Sequence, residues 1–175
     1  MNDIVQYAHA VLSANSTRWI ALTHTLPMDL LRWKPAPHEW SALECLQHLI
    51  DLEPIFLFRL RAFLAEQDFP AFDPDTQGTP LSEEAMPANM ADAFLRLRAA
   101  SLEEVGQVTS ADLGRRVRHE ELGPVTLSEM LHEWAGHDLM HTVQAERAIM
   151  QPFIQGCGPW VTYFSDHITS TTDRA

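Results

Sequence analysis

Residues 126–150, TLSEMLHEWAGHDLMHTVQAERAIM, form the stretch from which the rest of the chain is interpreted. Thr126 and Glu129 have the spacing of a capping box, which marks the start of a helix. Apolar side chains then recur at helical intervals, and Pro152 predicts that the helix ends soon after Met150. The sequence therefore predicts one long helix over this stretch.

Two histidines of this helix, His137 and His141, are separated by four positions. This spacing places them on one face, about 6 Å apart along the helix axis, so that their rings can converge on one point. Neutral imidazole is a common zinc ligand, and three protein ligands with one open position are typical of a catalytic zinc site. The pair predicts two ligands of such a site and requires a third from elsewhere.

A second capping box, formed by Ser41 and Glu44, predicts another long helix that continues to about Glu66. His48 of this helix falls on an apolar stripe that also includes Cys45 and is expected to face the core. His48 is therefore the best candidate for the third ligand. For any single histidine of the three, a hydrogen-bonded core residue is the alternative interpretation.

Other residues of the second helix bear on the same site. Glu44 and Asp51 each lie about one turn from His48, where a carboxylate either hydrogen-bonds a ligand imidazole or is simply solvated. Cys45 is interpreted as a packed core thiol rather than a ligand. Pro54 removes a backbone N–H within the helix and predicts a kink.

The rest of the chain supplies two further helices and two connections. Periodicity predicts helices over 4–25 and from Asn89, as N-cap, to Val105 or Gly106. Residues 67–87 are rich in proline and form a long loop, whereas 111–125 could be two short strands or an extended connection. We predict an all-α four-helix bundle with one long crossover connection, as a single domain over 1–168 with a disordered tail at 169–175.

Composition narrows the classes of function. The formal net charge of -12 over 175 residues disfavours binding to nucleic acid or to an anionic membrane. The two cysteines, Cys45 and Cys157, form no CxxC pair, and we find neither a signal peptide nor an apolar run of membrane-spanning length. These features predict a cytoplasmic protein with free thiols.

The remaining histidines and one neighbouring acid are given less weight. His24 is interpreted as a helix-capping or surface residue, His119 as a surface residue, and His132 as a surface residue or a hydrogen-bond partner near the site. Asp138 is a poor substitute for the glutamate of the protease motif HExxH, because it is shorter and points about 100° away from His137. It is expected to point along the core or to bond a neighbouring helix.

Two segments of the sequence resemble the signatures of a known family. Residues 40–53, WSALECLQHLIDLE, are similar to the pattern W-S-x-x-E-x-x-x-H-L-x-D-x-E, and residues 137–144, HDLMHTVQ, to H-D-x-x-H-x-x-Q. The proline-rich entry before Trp40 and the segment Gly158-Pro159-Trp160 are also similar. The chain resembles the DinB/YfiT-like metalloenzyme superfamily over nearly its whole length.

This resemblance implies a four-helix bundle that holds one divalent metal ion, zinc or nickel among others, with three histidines. Matched residue by residue, these are His48, His137 and His141. Related branches include bacillithiol or mycothiol S-transferases and a mycothiol-dependent maleylpyruvate isomerase. The resemblance therefore implies a low-molecular-weight thiol as cosubstrate and a homodimer. Many other members have no known activity.

Two functions from different classes follow, with a simpler alternative. The first is a metal-dependent transferase or hydrolase that acts on a small molecule, with no contact to nucleic acid or membrane. Coordination lowers the pKa of a water or thiol, which would explain why no Ser-His-Asp or Cys-His pattern is present. The second is a non-catalytic metal-binding or stress-related bundle, and the third is a bundle whose histidines only fill the core.

Overall fold

The computed structural model describes residues 4–169, apart from the side chains of 74 and 75. Most of the expected disordered tail, 170–175, lies outside the described residues. Within them the elements are as follows: α1 Ile4–Thr25, α2 Met28–Leu31, α3 Ala42–Leu64, α4 Pro74–Gln77, α5 Pro87–Val105, β1 Arg116–His119, β2 Gly123–Thr126, α6 Leu127–Gly156 and a 3₁₀ helix, Gly158–Phe164.

The four long helices form the bundle that the sequence predicts. Helix α1 packs against α5 and α6, and α3 packs against the same two helices. The consecutive long helices α1 and α3 therefore lie across a diagonal of the bundle, as do α5 and α6. Because α3 and α6 are neighbours, the candidate ligand His48 on α3 faces the histidine pair on α6.

Both capping boxes are present with both of their hydrogen bonds. The Ser41 hydroxyl accepts a bond from the backbone N–H of Glu44, whose carboxylate accepts from the Ser41 backbone N–H. Thr126 and Glu129 repeat the arrangement at the start of α6. The helix that carries His48 continues through Pro54, so its path beyond the candidate ligand is uninterrupted.

Two predicted helix ends are wrong. Helix α5 begins at Pro87, with Met86 rather than Asn89 as its N-cap, because proline at the first helical position has the required φ and lacks an N–H that would be unsatisfied there. Helix α6 continues past Met150 and Pro152 to Gly156. One missing N–H does not end this helix, since Gln151 before the proline and Ile154 after it are buried against the bundle.

The connections contain little regular structure. Residues 111–125 include the first strand and most of the second strand of an antiparallel hairpin, in which Val117 pairs with Val125. Of the two predictions for this segment, two short strands is therefore correct and an extended connection is not. In the long loop, Phe69 forms an isolated bridge with His119 at the end of β1, and α4 adds a single turn. The loop is thereby attached to the hairpin.

Two apolar clusters fill the bundle, one towards each end. The first includes Leu12, Phe63 and Trp134, and the second includes Trp19 and Leu43. Charged residues from α3, α5 and α6 are buried between them along the bundle axis. None of the described helices is long and apolar enough to cross a membrane.

Candidate metal centre

The three candidate ligands from the sequence meet between α3 and α6. One ring nitrogen each from His48, His137 and His141 lies within 4.8 Å of the others, and this is the only group of at least three potential ligands found among the described residues. The ring centroids are 4.4 to 5.2 Å apart. Helical spacing supplies the pair on α6, and helix packing brings in His48.

The separation of two of these nitrogens is suitable for a metal ion. His48 Nε2 and His137 Nε2 are 3.2 Å apart, close to the roughly 3.3 Å expected for two nitrogens bound tetrahedrally to one zinc ion. The other nitrogen of His137, Nδ1, is buried and has no hydrogen-bond partner in the described part of the chain. The donor set and its spacing therefore fit a divalent metal.

A neighbouring amide determines which nitrogen of His141 can act as a ligand. Gln144 Oε1 lies 2.9 Å from His141 Nδ1. Because the amide oxygen only accepts hydrogen bonds, Nδ1 carries the proton and the lone pair is on Nε2. Gln144 matches the glutamine of the H-D-x-x-H-x-x-Q signature, so this interaction gives a physical role to a residue that sequence reasoning left without one.

The environment lowers the pKa of two of the histidines, His137 and His141, and so favours the neutral form, which is the form that binds metal. Burial, followed by the neighbouring His141, His48 and Arg59, lowers the pKa of His137 from 6.5 to about 3. Burial also lowers the pKa of His141, although the Gln144 hydrogen bond and the charge of Asp138 oppose that shift. Neutral imidazoles present lone pairs without a competing proton.

Aromatic rings surround the cluster. Trp40 stacks on His141 with 5.7 Å between centroids and is tilted against His48 at 5.1 Å. Phe56 presents an edge contact to His137 at 5.6 Å. His48 and His141 are only 8% and 6% exposed, so these rings and the helices shield the ligand atoms from water.

Other polar residues that the sequence placed near His48 have different partners. Glu44 serves the capping box and forms an ion pair with Lys34, while Asp51 bonds Gln47 and the backbone N–H of Thr79. Cys45 is fully buried, and burial together with the nearby Glu44 raises the pKa of its thiol to about 12. The structure confirms that Cys45 is a packed core thiol.

Asp138 points into the bundle and forms hydrogen bonds with neighbouring helices. Bonding to a neighbouring helix was one of the two orientations expected from the sequence. Its carboxylate accepts two hydrogen bonds from the Arg98 guanidinium, at 2.6 and 3.0 Å, and one from the Asn15 amide at 2.8 Å. Arg98 also donates two bonds of 2.7 Å to Glu53. Asp138 therefore joins α6 to α1 and α5 directly and to α3 through Arg98, and its side chain is buried.

Arg98 was not identified from the sequence. Arg98 and both of its carboxylate partners are buried. Burial alone would lower the pKa of Arg98, but the hydrogen bonds to Asp138 and Glu53 outweigh this effect and raise that pKa. Glu53 and Asp138 both occupy positions of the family signatures. The sequence could have indicated Arg98 through Glu53 and Asp138, because two acids at core-facing positions require a buried cation as their partner.

The remaining histidines lie outside the cluster. His24 and His132 are exposed, and His132 Nδ1 lies 2.8 Å from the Ser128 carbonyl oxygen. The interpretation of His119 as a surface residue is wrong, because it is 7% exposed. The bridge to Phe69 and the edge contact between the two rings cover it.

Solved structures show the same fold. YfiT from Bacillus subtilis, described as a probable metal-dependent hydrolase with an unusual four-helix bundle topology, matches with a TM-score of 0.72 and 15% identity, covering 85% of this chain and 87% of that chain. A DinB-like protein of the same organism, YjoA, matches with a TM-score of 0.56 and 18% identity, covering 84% and 92%.

The comparison with curated proteins found no match. The model of the DinB superfamily matches residues 12–145, which is well over half of the chain and includes all three clustered histidines. The bundle and the two signature segments agree with that match. The chain belongs to the DinB superfamily.

Proposed function

We propose that this protein is a metal-dependent enzyme that holds one divalent ion with His48, His137 and His141 and acts on a small molecule as a hydrolase or an S-transferase. The observation that carries the proposal is the convergence of the three imidazoles within 4.8 Å, inside an aromatic enclosure. Three adjacent imidazoles, two of them buried and one half-buried, would destabilise a fold that relied on apolar burial alone.

Each residue of the site has a distinct part in this function. When bound, the ion lowers the pKa of a water or thiol placed in its open position and so supplies a nucleophile near neutral pH. Gln144 holds the proton of His141 on Nδ1, and Trp40 and Phe56 limit the access of bulk water. Asp138 anchors the backbone between the two α6 ligands through Arg98.

The finer assignments are also proposals. Three nitrogen ligands suit zinc and nickel better than magnesium or calcium. Hydrolysis is favoured by the similarity to YfiT, and thiol transfer, with a low-molecular-weight thiol as cosubstrate, by the related branches of the family. The free thiols of Cys45 and Cys157 fit the proposed cytoplasmic location.

Metal analysis of untagged protein tests the site. We expect the wild type, after loading and desalting, to retain a stoichiometric amount of zinc or nickel, and His48→Ala and His141→Ala to lose it. His132→Ala is the matched control, because this histidine lies exposed on the same helix and should leave the metal content unchanged. A wild type without retained metal would refute the proposal.

The alternative, a non-catalytic metal-binding or stress-related bundle, shares the metal site and differs in turnover. Assays with ester and amide substrates, and with a panel of thiols and electrophiles, separate the two functions. Turnover that disappears in His48→Ala but persists in His132→Ala would establish the enzyme. Stoichiometric metal without turnover across the panel would favour the binding protein.

We further propose that the chain forms a single domain and assembles as a homodimer. Leu139, Met140 and Val143 form an exposed apolar patch on α6, and such patches are common at protein interfaces. Light scattering on the purified protein tests the assembly. A wild-type dimer that becomes monomeric in Met140→Glu supports it, whereas a monomeric wild type rules it out.

A further inference from the structure

A half-buried arginine lies beside the histidine cluster. The Arg59 guanidinium carbon is 5.9 Å from the centre of the Phe56 ring and 5.4 Å from that of Phe69. Phe56 is also the ring whose edge meets His137, and the charge of Arg59 contributes to the lowered pKa of His137. Arg59 therefore places a positive charge at the margin of the candidate metal centre.

Among the described residues, the Arg59 guanidinium lacks an acceptor at Nε and faces a ring nitrogen at Nη2. Its Nε is inaccessible to solvent and has no partner among the residues that the structure describes. One terminal nitrogen, Nη2, lies 3.4 Å from His119 Nε2. Whether this contact is a hydrogen bond depends on which nitrogen of His119 carries the proton.

The backbone determines the protonation of His119. Its Nδ1 lies 3.1 Å from the backbone nitrogen of Glu121 and 3.2 Å from that of Leu122, and both of these N–H groups donate to it. Nδ1 must therefore carry the lone pair, and the proton is on Nε2. Consequently His119 Nε2–H and the Arg59 guanidinium are two donors that face each other without an acceptor.

No acid in the described part of the chain forms an ion pair with Arg59. Glu133 is near enough for its charge to raise the pKa of Arg59, against the larger lowering caused by burial. An arginine remains protonated even so. In a chain with a net charge of -12, a shielded cation beside a neutral histidine donor is a local site of positive potential.

We propose that Arg59 and His119 Nε2–H together bind an oxyanion, a carboxylate or phosphate group, of the substrate whose reacting end lies at the histidine cluster. The guanidinium fork matches either group, and both are strong acceptors for charged donors. The assignment of the oxyanion to the substrate rests on the proposed function. The anion-binding site itself does not require the metal.

The test uses the full chain in its metal-free, chelator-treated form. NMR follows the Arg59 Nε–H signal, which is assigned by its absence from the spectrum of Arg59→Lys. Sodium acetate and inorganic phosphate are titrated separately at constant ionic strength. We expect a saturable shift of this signal with at least one of them. A response to acetate alone assigns a carboxylate substrate, and a response to phosphate alone assigns a phosphorylated one.

Variants locate the bound anion, and isothermal titration calorimetry measures the affinity of every variant, because substitutions of Arg59 remove the NMR signal itself. Arg59→Gln and His119→Phe should each weaken anion binding about tenfold or more, the effect of losing a hydrogen bond to a charged group. Arg96→Gln removes the same charge from an exposed position on α5 and should bind as the wild type does. Circular dichroism establishes that the variants are folded, and Arg59→Lys provides a second variant if Arg59→Gln is not.

Three results would overturn the assignment. One is the absence of a saturable shift with either anion, and another is equal binding by Arg59→Gln and the wild type. The third concerns Glu133. If the Arg59 Nε–H signal shifts in Glu133→Gln without added anion, and neither anion shifts it in the wild type, then Glu133 is the acceptor for the Arg59 guanidinium. Loss of anion binding in Arg59→Gln with full metal retention separates this site from the proposed metal function.

Discussion

At the scale of single residues, a hydrogen-bond partner determines which ring nitrogen of a histidine is available as a candidate ligand. Gln144 holds His141 in the tautomer that leaves Nε2 unprotonated. His137 Nδ1, by contrast, is buried without a partner among the described residues. His141 and His137 are therefore not equivalent, because a side-chain hydrogen bond orients the ring of His141 and none reaches Nδ1 of His137 from the described residues.

Replacement of Gln144 by Met removes the acceptor while keeping a side chain of similar length. We expect zinc affinity to fall about ten- to a hundredfold, as for other residues that orient a metal-bound histidine, with little loss of fold stability. Competition titration with a chromophoric chelator measures the affinity. Wild-type affinity in Gln144→Met would show that packing alone orients His141.

The depressed pKa of His137 predicts a pH dependence of stability in the metal-free protein. Because its pKa is about 3 in the folded state against 6.5 in the reference state, the unfolded chain binds more protons in this interval. The free energy of unfolding should therefore fall as the pH drops from 6.5 towards 3, and this contribution is fully present above 6.5.

Urea denaturation near neutral pH and at about pH 5.5 measures the effect, with His137→Gln as the comparison, because the variant lacks the titrating group. The variant should lose less stability between the two conditions than the wild type does. An equal loss in both proteins would contradict the assignment of this pH dependence to His137.

At the scale of elements, the two capped helix starts are encoded locally, whereas the end of α6 is not. Both capping boxes operate because the cap and its acid are three residues apart in one chain segment. Past Pro152, α6 continues because Gln151 and Ile154 are buried, and Gln151 bonds the carbonyl oxygens of Arg147 and His167. The bond to His167 attaches the last turns of α6 to the segment that follows them, which no local pattern reveals.

The glycine before His137 offers a test of helix propensity within α6. Gly136 has nothing within 4 Å of the position that a Cβ would occupy, so Gly136→Ala should stabilise the protein by about 1 kcal/mol. Thermal or urea unfolding measures this gain. A decrease in stability would mean that the space beside His137 is occupied in solution.

A second glycine provides the contrasting control. Gly123 begins β2 with a φ of +77°, in the left-handed region that a Cβ disfavours by about 1–2 kcal/mol. Gly123→Ala should therefore destabilise the protein by a similar amount under the same conditions. The opposite signs distinguish a helix-propensity effect from a general effect of added methyl groups.

At the scale of the whole molecule, a buried ionic network joins the four long helices. Arg98 of α5 binds Glu53 of α3 and Asp138 of α6, and donates a bond of 3.0 Å to the Leu12 carbonyl oxygen of α1. The network lies between the two apolar clusters. It therefore fixes the relative positions of the helices that carry the three histidines.

Arg98→Met should destabilise the protein by about 3–5 kcal/mol, because it leaves two carboxylates buried without their cation. Arg18→Met is the matched control. The side chains of Arg18 and its partner Glu146 are 53% and 36% exposed, so the cost should be at most about 1 kcal/mol. Urea denaturation compares the two, and similar losses would show that the buried network contributes no more than a surface pair.

The sequence by itself determined the features that depend on spacing within one segment. These are the two capped helix starts, the pairing of His137 with His141 on one face, the apolar stripe that includes His48, and the family signatures. Helical periodicity and capping act over a few residues, so they can be read without a fold.

Only the tertiary structure decided which distant side chains meet. The packing of α3 against α6 places His48 Nε2 3.2 Å from His137 Nε2. The same packing buries Arg98 between two acids and places Arg59 against His119. These contacts join residues far apart in the chain, and their pairing depends on the diagonal arrangement of consecutive helices, which local spacing does not encode.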